Sequence, residues 1–166
     1  MLPPAVALAS QHAAADFKAY IKFDSLVGDD IDKGHEGWTA LPNFSFGFTK
    51  PAGSGVPMTA AAFTFAKVLD RLSPELFLRC ATGNPFTTVK IELMDATVSP
   101  SLFYRLTLNV VSIRSLSTSG VTVGSNTPSE SVSVSYENLK IEYFYQGSKG
   151  TVAVPPVTWN FMTNSP

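Results

Sequence analysis

The sequence predicts a mainly β protein, a small antiparallel β-barrel or β-sandwich with one short α-helix at about residues 73–82. The first reason is that apolar and polar residues alternate over most of the chain after residue 15, which is the period of a strand with one buried face. The second is that 12 prolines and 11 glycines are spread along the chain, as is typical of strands joined by turns. The third is that a single segment carries helix signals at both ends.

The alternation predicts seven to nine strands, and it is clearest at residues 17–23, 44–48, 63–65, 89–93, 104–110, 132–145 and 152–161. In the first of these segments the predicted buried face consists of Phe17, Ala19, Ile21 and Phe23. Later in the chain, the apolar positions change from even numbers up to Tyr136 to odd numbers from Leu139. Because one extra residue turns every later side chain to the other face, this change predicts a β-bulge at Glu137–Asn138.

The helix is predicted from its two ends. Ser73 is a residue type that caps helix N-termini, and Pro74 fits the first helical position. Gly83 supplies the left-handed residue that ends a helix. We therefore expect Ser73 to cap the helix and one of two apolar side chains, Leu76 or Phe77, to be buried.

Residues 1–15 differ in composition from the rest of the chain, because they are small and apolar and include no charged side chain. They lack the basic residues that begin a signal peptide, and Gln11 and His12 interrupt the apolar stretch. We interpret them as an N-terminal arm or the remnant of an export signal. Residues 16–166 then form the single domain.

Composition excludes several classes of protein. A 45% share of hydrophobic residues and a 15% share of charged residues exclude a disordered chain. The apolar stretches are too short for a membrane helix, so no membrane insertion is expected. A net charge of −1 gives no basic surface for nucleic acid. One cysteine, Cys80, excludes an internal disulfide framework.

No catalytic motif and no cofactor-binding motif is present, so we predict no catalytic residue, no metal site and no cofactor. The densest polar cluster spans residues 28–38. Its carboxylates suit a calcium ion, but their spacing does not follow an EF-hand. The cluster is open to three other interpretations: a solvated connection, an enzyme site using residues 29–36, and a loop that contacts another protein. A secreted β-sandwich that binds sugar through Trp38, Trp159 or tyrosines is a further alternative.

Four segments in chain order carry a resemblance to a known family. They are residues 16–38, with Gly28 and His35; residues 43–47, which read Asn-Phe-Ser-Phe-Gly; residues 68–76, which contain Ser73-Pro74; and residues 129–141. Together they are similar to the haemolysin-coregulated protein family, Hcp, which forms the inner tube of the bacterial type VI secretion system. Asp29-Asp30 stand where the family usually has Glu-Ser, and Phe44 and Phe46 where tryptophan is common.

The resemblance implies a phage tail-tube-like barrel that assembles as a homohexameric ring. Rings stack into a tube that is assembled in the bacterial cytoplasm and exported, with sheath and spike proteins and small effector proteins in the lumen as partners. The resemblance also implies a ring-stacking loop, formed by Asp29, Asp30, Asp32, Lys33, His35, Glu36 and Trp38. It places Ser45 in the lumen. An exported relative that builds extracellular tubes is the alternative.

Overall fold

The computed structural model describes residues 16–97, 100–124 and 127–166, and the segment interpreted as an arm or export-signal remnant, residues 1–15, lies outside the described residues. The predicted fold class is confirmed, with one helix and eleven mostly antiparallel strands in the described part of the chain. The elements are β1 Phe17–Phe23, β2 Thr39–Ala40, β3 Asn43–Ser45, β4 Phe48–Thr49, β5 Thr59–Ala60, β6 Phe63–Val68, α1 Ser73–Thr82, β7 Phe86–Asp95, β8 Ser101–Ser119, β9 Ser129–Gly147, β10 Gly150–Ala153 and β11 Val157–Asn160. The strand count exceeds the prediction because four strands have only two or three residues.

Nine of these strands form one antiparallel sheet in the order β2-β1-β7-β8-β9-β6-β3, with β10 and β11 added to β9. Strands β8 and β9 are 19 residues long and pair with each other along most of their length. Because β9 is so long, its second edge has room for β6, β11 and β10 in succession. The remaining two strands, β4 and β5, form a separate hairpin.

The sheet curls around one hydrophobic core. Its two terminal strands, β2 and β3, are separated in the chain by only Leu41 and Pro42, so the two edges of the sheet lie close together. The structure is barrel-like without a continuous hydrogen-bonded closure. The largest side chains that are fully buried inside it include Phe23, Phe63, Phe65, Phe86, Ile21, Leu76, Ile91, Leu106 and Leu108.

The predicted change of face on β9 is present, but its cause differs from the predicted bulge. Buried positions pass from Tyr136 to Leu139. The pairing between β8 and β9 keeps the same register across Glu137–Asn138, so no extra residue is inserted there. Strand β8 changes face at the same level, where Val110 adopts a φ of 52°. In both strands the buried side chains therefore change face at the same level, and the strands stay paired.

The helix begins and ends where the sequence predicts, at Ser73–Thr82. Ser73 is not its N-cap, however, because Leu72 occupies that position and makes no side-chain capping bond. The Ser73 hydroxyl is instead used inside the protein, where it donates to Glu130 Oε2 at 2.7 Å. Gly83 ends the helix as predicted, with a φ of 74°.

The two apolar positions considered for burial on α1 have opposite environments. Leu76 is fully buried in the core, whereas Phe77 is 65% exposed. On β1, Ala19, Ile21 and Phe23 are buried as predicted, but Phe17 is 54% exposed. Phe17 lies at the open end of the strand, where it lines a surface groove rather than the core.

Candidate functional site

The loop between β1 and β2 contains the polar cluster, and its backbone is held in one defined shape. The Gly28 N–H donates to the Gly37 carbonyl at 2.8 Å, and the Asp30 N–H donates to the Trp38 carbonyl at 3.0 Å. A Cβ atom on Gly28 would lie 2.3 Å from the Trp38 carbonyl oxygen. Only glycine therefore permits this close approach of the two sides of the loop.

His35 fastens the loop to the sheet. Its side chain is buried, and its ring stacks on Tyr20 with a centroid distance of 4.1 Å. Trp38 packs edge-on against the same ring at 4.9 Å. His35 Nε2 lies 2.7 Å from Glu92 Oε2 on β7, and the other oxygen of Glu92 accepts from Arg105 Nε on β8. The loop is thus docked on β1 and β7 and is not a loosely solvated connection.

Asp32 ties the loop to β1. One carboxylate oxygen accepts hydrogen bonds from Lys18 Nζ at 2.7 Å and from the Tyr20 hydroxyl at 2.5 Å. The bond from Lys18, followed by the bond from Tyr20, holds the pKa of Asp32 below its usual range. Burial, followed by the bond to Asp32, raises the pKa of Tyr20 above its usual value.

We predict that the hydrogen bonds from Lys18 and Tyr20 to the Asp32 carboxylate are lost in acid. The pKa of Asp32 is lower in the folded state than in the unfolded state, where an aspartate titrates at about 3.9. Its stabilising contribution is therefore complete above that pH and disappears as the pH falls through the lowered folded value. Trp38 fluorescence should report an acid transition of the loop that Asp32→Asn removes and that Glu36→Gln leaves in place. An unchanged acid transition in Asp32→Asn would show that the hydrogen bonds of Asp32 do not stabilise the loop.

The other acidic residues of the cluster have different surroundings. Asp29 forms an ion pair with Arg71, which follows β6. Asp30 Oδ1 accepts the N–H of Asp32 at 2.7 Å, a bond that shapes the loop without neutralising the charge. The Asp29 and Asp32 carboxylates thus have cationic partners within their own chain, and neither needs a second subunit for charge balance.

The tip of the loop faces solvent. Ile31 is 88% exposed, and Lys33, Gly34 and Glu36 are also exposed. Glu36 Oε2 accepts the Gly34 N–H at 2.9 Å, which shapes the turn at the tip. Of the residues in the predicted stacking loop, Lys33 and Glu36 are therefore free to meet another molecule, and the sequence reasoning missed Ile31 beside them.

Ser45 lies on a sheet face made of small uncharged residues. This hydroxyl face consists of two adjacent rows across β3, β6, β9 and β8: Ser45, Thr64, Ser133 and Ser115, then Asn43, Ala66, Ser131 and Ser117. Ser45 is exposed, and the flanking Phe44 and Phe46 pack against the core. The alternation in the sequence thus predicted the side on which Ser45 lies.

A buried ionic cluster was missed by the sequence reasoning. Lys67 is fully buried, and its Nζ contacts Asp70 at 2.8 Å, Glu130 at 2.5 Å and Ser73 at 3.0 Å. A signal was available, because Lys67 continues the apolar series of Phe63 and Phe65 on β6. The cluster joins β6, β9 and the start of α1, and its role is structural.

Within the described part of the chain, no three or more His, Cys, Asp or Glu side chains are grouped as they would be to hold a metal ion. Among the same residues, no helix has the length and apolar character needed to cross a membrane. Trp38 is engaged with His35, and the Trp159 indole nitrogen is buried. Both tryptophan side chains are partly exposed.

Comparison with known proteins identifies the family. The model of the family described as "Type VI secretion system effector, Hcp" matches residues 20–143. The chain belongs to the Hcp family. The resemblance seen in the four sequence segments is thus confirmed, and the chain is a type VI secretion Hcp protein.

One curated Hcp relative is Hcp1 of Pseudomonas aeruginosa, which is 27% identical over 104 residues. The match covers 61% of this chain and 64% of that relative. Among solved structures, a type six secretion system protein superposes with a TM-score of 0.81 at 24% identity, covering 90% of this chain and 99% of that one. Hcp1 from Salmonella typhimurium gives 0.75 at 23% identity, covering 90% and 97%. These structural likenesses establish the Hcp fold.

Proposed function

We propose that this protein forms homohexameric rings that stack into the inner tube of a type VI secretion system. In this proposal the tube is assembled in the cytoplasm, surrounded by sheath proteins, tipped by a spike and expelled from the cell. Its lumen carries small effector proteins. Membership of the Hcp family supports this function.

The observation that carries the proposal is the hydroxyl face. A lumen that passes varied cargo must be wettable but must not bind any one partner tightly through charge. The row that contains Ser45 and the adjacent row that contains Asn43 include no charged residue and no large apolar one. Exposed apolar side chains lie elsewhere, for example Phe77, Val157 and Met162, where contacts between copies can cover them.

Electron microscopy and native mass spectrometry of the purified protein test this function. We expect six-membered rings and, at high concentration, stacked rings. A stable monomer at micromolar concentration would contradict the proposal. Activity or sugar binding by such a monomer would favour the enzyme or the ligand-binding sandwich instead.

Ser45→Gln should weaken the retention of small effector proteins. The longer amide would project from the hydroxyl face into the proposed lumen while the chain still folds and forms rings, because Ser45 is exposed. Co-purification of an effector with the rings is the measurement, and Ser25→Gln, at an exposed serine in the turn after β1, is the control. Equal retention by both variants would show that Ser45 does not line the lumen.

Ile31→Asp should leave single rings intact and abolish stacking. Ile31 is 88% exposed at the tip of the loop, so its replacement costs the folded subunit little. In a stacked tube the same contact repeats around the symmetry axis, and a buried charge would oppose it at every copy. Val121→Asp, at another exposed apolar residue, is the matched control. Tubes of normal length from Ile31→Asp would show that stacking uses another surface.

A further inference from the structure

A row of lysines crosses the outer face of the sheet, on the side away from the core. Strand pairing places Lys22 of β1 opposite Lys90 of β7. Lys90 pairs in turn with Thr107 of β8, and Thr107 pairs with Lys140 of β9. These four residues form the lysine row, and none of them belongs to the loop tip or to the hydroxyl face.

Two lysines of the row have no charged partner in their own subunit. Lys22 Nζ donates to the uncharged Gly37 carbonyl at 2.9 Å, and Lys90 is exposed. Neither Lys22 nor Lys90 forms an ion pair with another described residue. Like charges directly opposite each other on neighbouring strands destabilise a sheet. An anionic partner that neutralises this pair would remove the repulsion.

The neighbouring rows limit the size of the cationic surface. On one side Arg105 lies between Glu92 and Glu142 and forms ion pairs with both. The row on the other side is uncharged and consists of Thr88, Asn109, Asn138 and Asn160. The Asp24 carboxylate beyond its end accepts two backbone N–H groups. Because neighbouring strands lie about 4.8 Å apart, the lysine row is a strip about 14 Å long.

A strip of this length and composition suits protein carboxylates better than a nucleic acid. Duplex DNA carries one negative charge per about 1.7 Å, so it would bring many more phosphates than three lysines can neutralise. Glu92 and Glu142 would repel the remaining phosphates. The row also contains no arginine and no aromatic ring on which a base could stack. A protein segment carries fewer and more widely spaced charges, which this strip can match.

The lysine row and the hydroxyl face lie on opposite walls of the core. The rings of Phe23 and Phe65 pack against each other at a centroid distance of 6.0 Å, although β1 and β6 are not neighbours in the sheet. Successive side chains of a strand point to opposite faces. Lys22 therefore points outward from the wall of Phe23, and Thr64 points outward in the opposite direction from the wall of Phe65. With the hydroxyl face in the lumen, the lysine row faces the outside of the tube.

We propose that the lysine row binds an acidic segment of a partner protein that lies against the outside of the tube. Carboxylates of that segment neutralise Lys22 and Lys90 and meet Lys140 at the far end of the strip. The outward direction rests on the proposed function. The row itself is complete within one subunit, so binding of an acidic segment does not require the ring.

Binding of fluorescein-labelled poly-L-glutamate, measured by fluorescence anisotropy at neutral pH and low salt, tests the site. The triple variant Lys22→Gln, Lys90→Gln and Lys140→Gln should raise the Kd at least about tenfold, because it removes all the positive charge of the row. Glutamine at position 22 keeps a donor for the Gly37 carbonyl. Binding by the wild type should weaken as salt rises.

A second triple variant controls for net charge. Lys33→Gln, Lys50→Gln and Lys149→Gln removes the same charge at three exposed lysines elsewhere on the subunit. Its Kd should stay within about twofold of the wild type. Equal losses in the two triple variants would overturn the lysine row as the site. Tighter binding of a single-stranded DNA oligonucleotide than of poly-L-glutamate through the row would overturn the acidic protein segment as its partner.

Electron microscopy of the same samples separates the site from the proposed function. Nanogold-labelled poly-L-glutamate should lie at the outer rim of wild-type rings, and label in the central opening would overturn the outward direction. A wild-type monomer that binds poly-L-glutamate through the row would overturn the proposed ring and leave the site standing. Wild-type rings that do not bind it would overturn the site and leave the ring standing.

Discussion

Lys67→Ala should lower the free energy of unfolding by about 3–5 kcal/mol. The side chains of Lys67, Asp70 and Glu130 are 0%, 7% and 4% exposed, so both carboxylates would lose their cation while remaining buried. Removing one partner of such a cluster leaves an uncompensated charge in the interior. Urea denaturation at fixed protein concentration measures the effect, because assembly makes apparent stability depend on concentration.

Two further variants identify the cause of this loss. Lys18→Ala removes the ion pair with Asp32, whose side chains are 55% and 44% exposed, and should change stability far less because solvent screens that pair. Lys67→Met combined with Glu130→Gln should recover part of the stability, because fewer buried charges are left unpaired. A loss below about 1 kcal/mol in Lys67→Ala would contradict the structural role of the cluster.

Leu76→Ala should lower the free energy of unfolding by about 2–5 kcal/mol. Leu76 is fully buried where α1 packs on the core, so truncation removes apolar contacts and leaves a cavity. Chemical denaturation monitored by circular dichroism is the measurement. Equal stability of this variant and the wild type would mean that α1 is not docked as described.

Phe77→Ala is the matched control for Leu76→Ala. The two residues are neighbours on one helix, but Phe77 is 65% exposed. Its truncation should change the stability of the isolated subunit by less than about 0.5 kcal/mol. Because Phe77 belongs to the exposed apolar surface, an effect of Phe77→Ala on assembly without one on stability would locate an interface on α1.

Local sequence rules predicted most of the secondary structure. Alternation identified the strands, and Gly83 marked the end of the helix, because these signals depend only on a few neighbouring residues. The prediction of Ser73 as the helix cap was wrong. Its hydroxyl is bonded to Glu130, 57 residues later in the chain, and no local rule includes such a partner.

In the candidate site, too, local sequence predicted some features and contacts between distant residues decided others. The sequence drew attention to the polar residues 28–38, whose role stays a prediction, and alternation indicated that Ser45 lies on the face opposite the core. It did not distinguish the buried His35 from the exposed Ile31, because that difference depends on Tyr20 and Glu92. From sequence alone, a polar cluster is interpreted as solvent-exposed, because the strands that satisfy its hydrogen bonds are not known.

The sequence by itself determined the fold class, the position of the helix and, through four ordered segments, the family. Tertiary structure decided which partners the charged side chains have. Pairing of β6 with β9 brings Lys67 opposite Glu130, and pairing of β1 with β7 places Tyr20 beside Glu92. The period of a strand tells which residues share a face, but only strand pairing tells which residues meet across it.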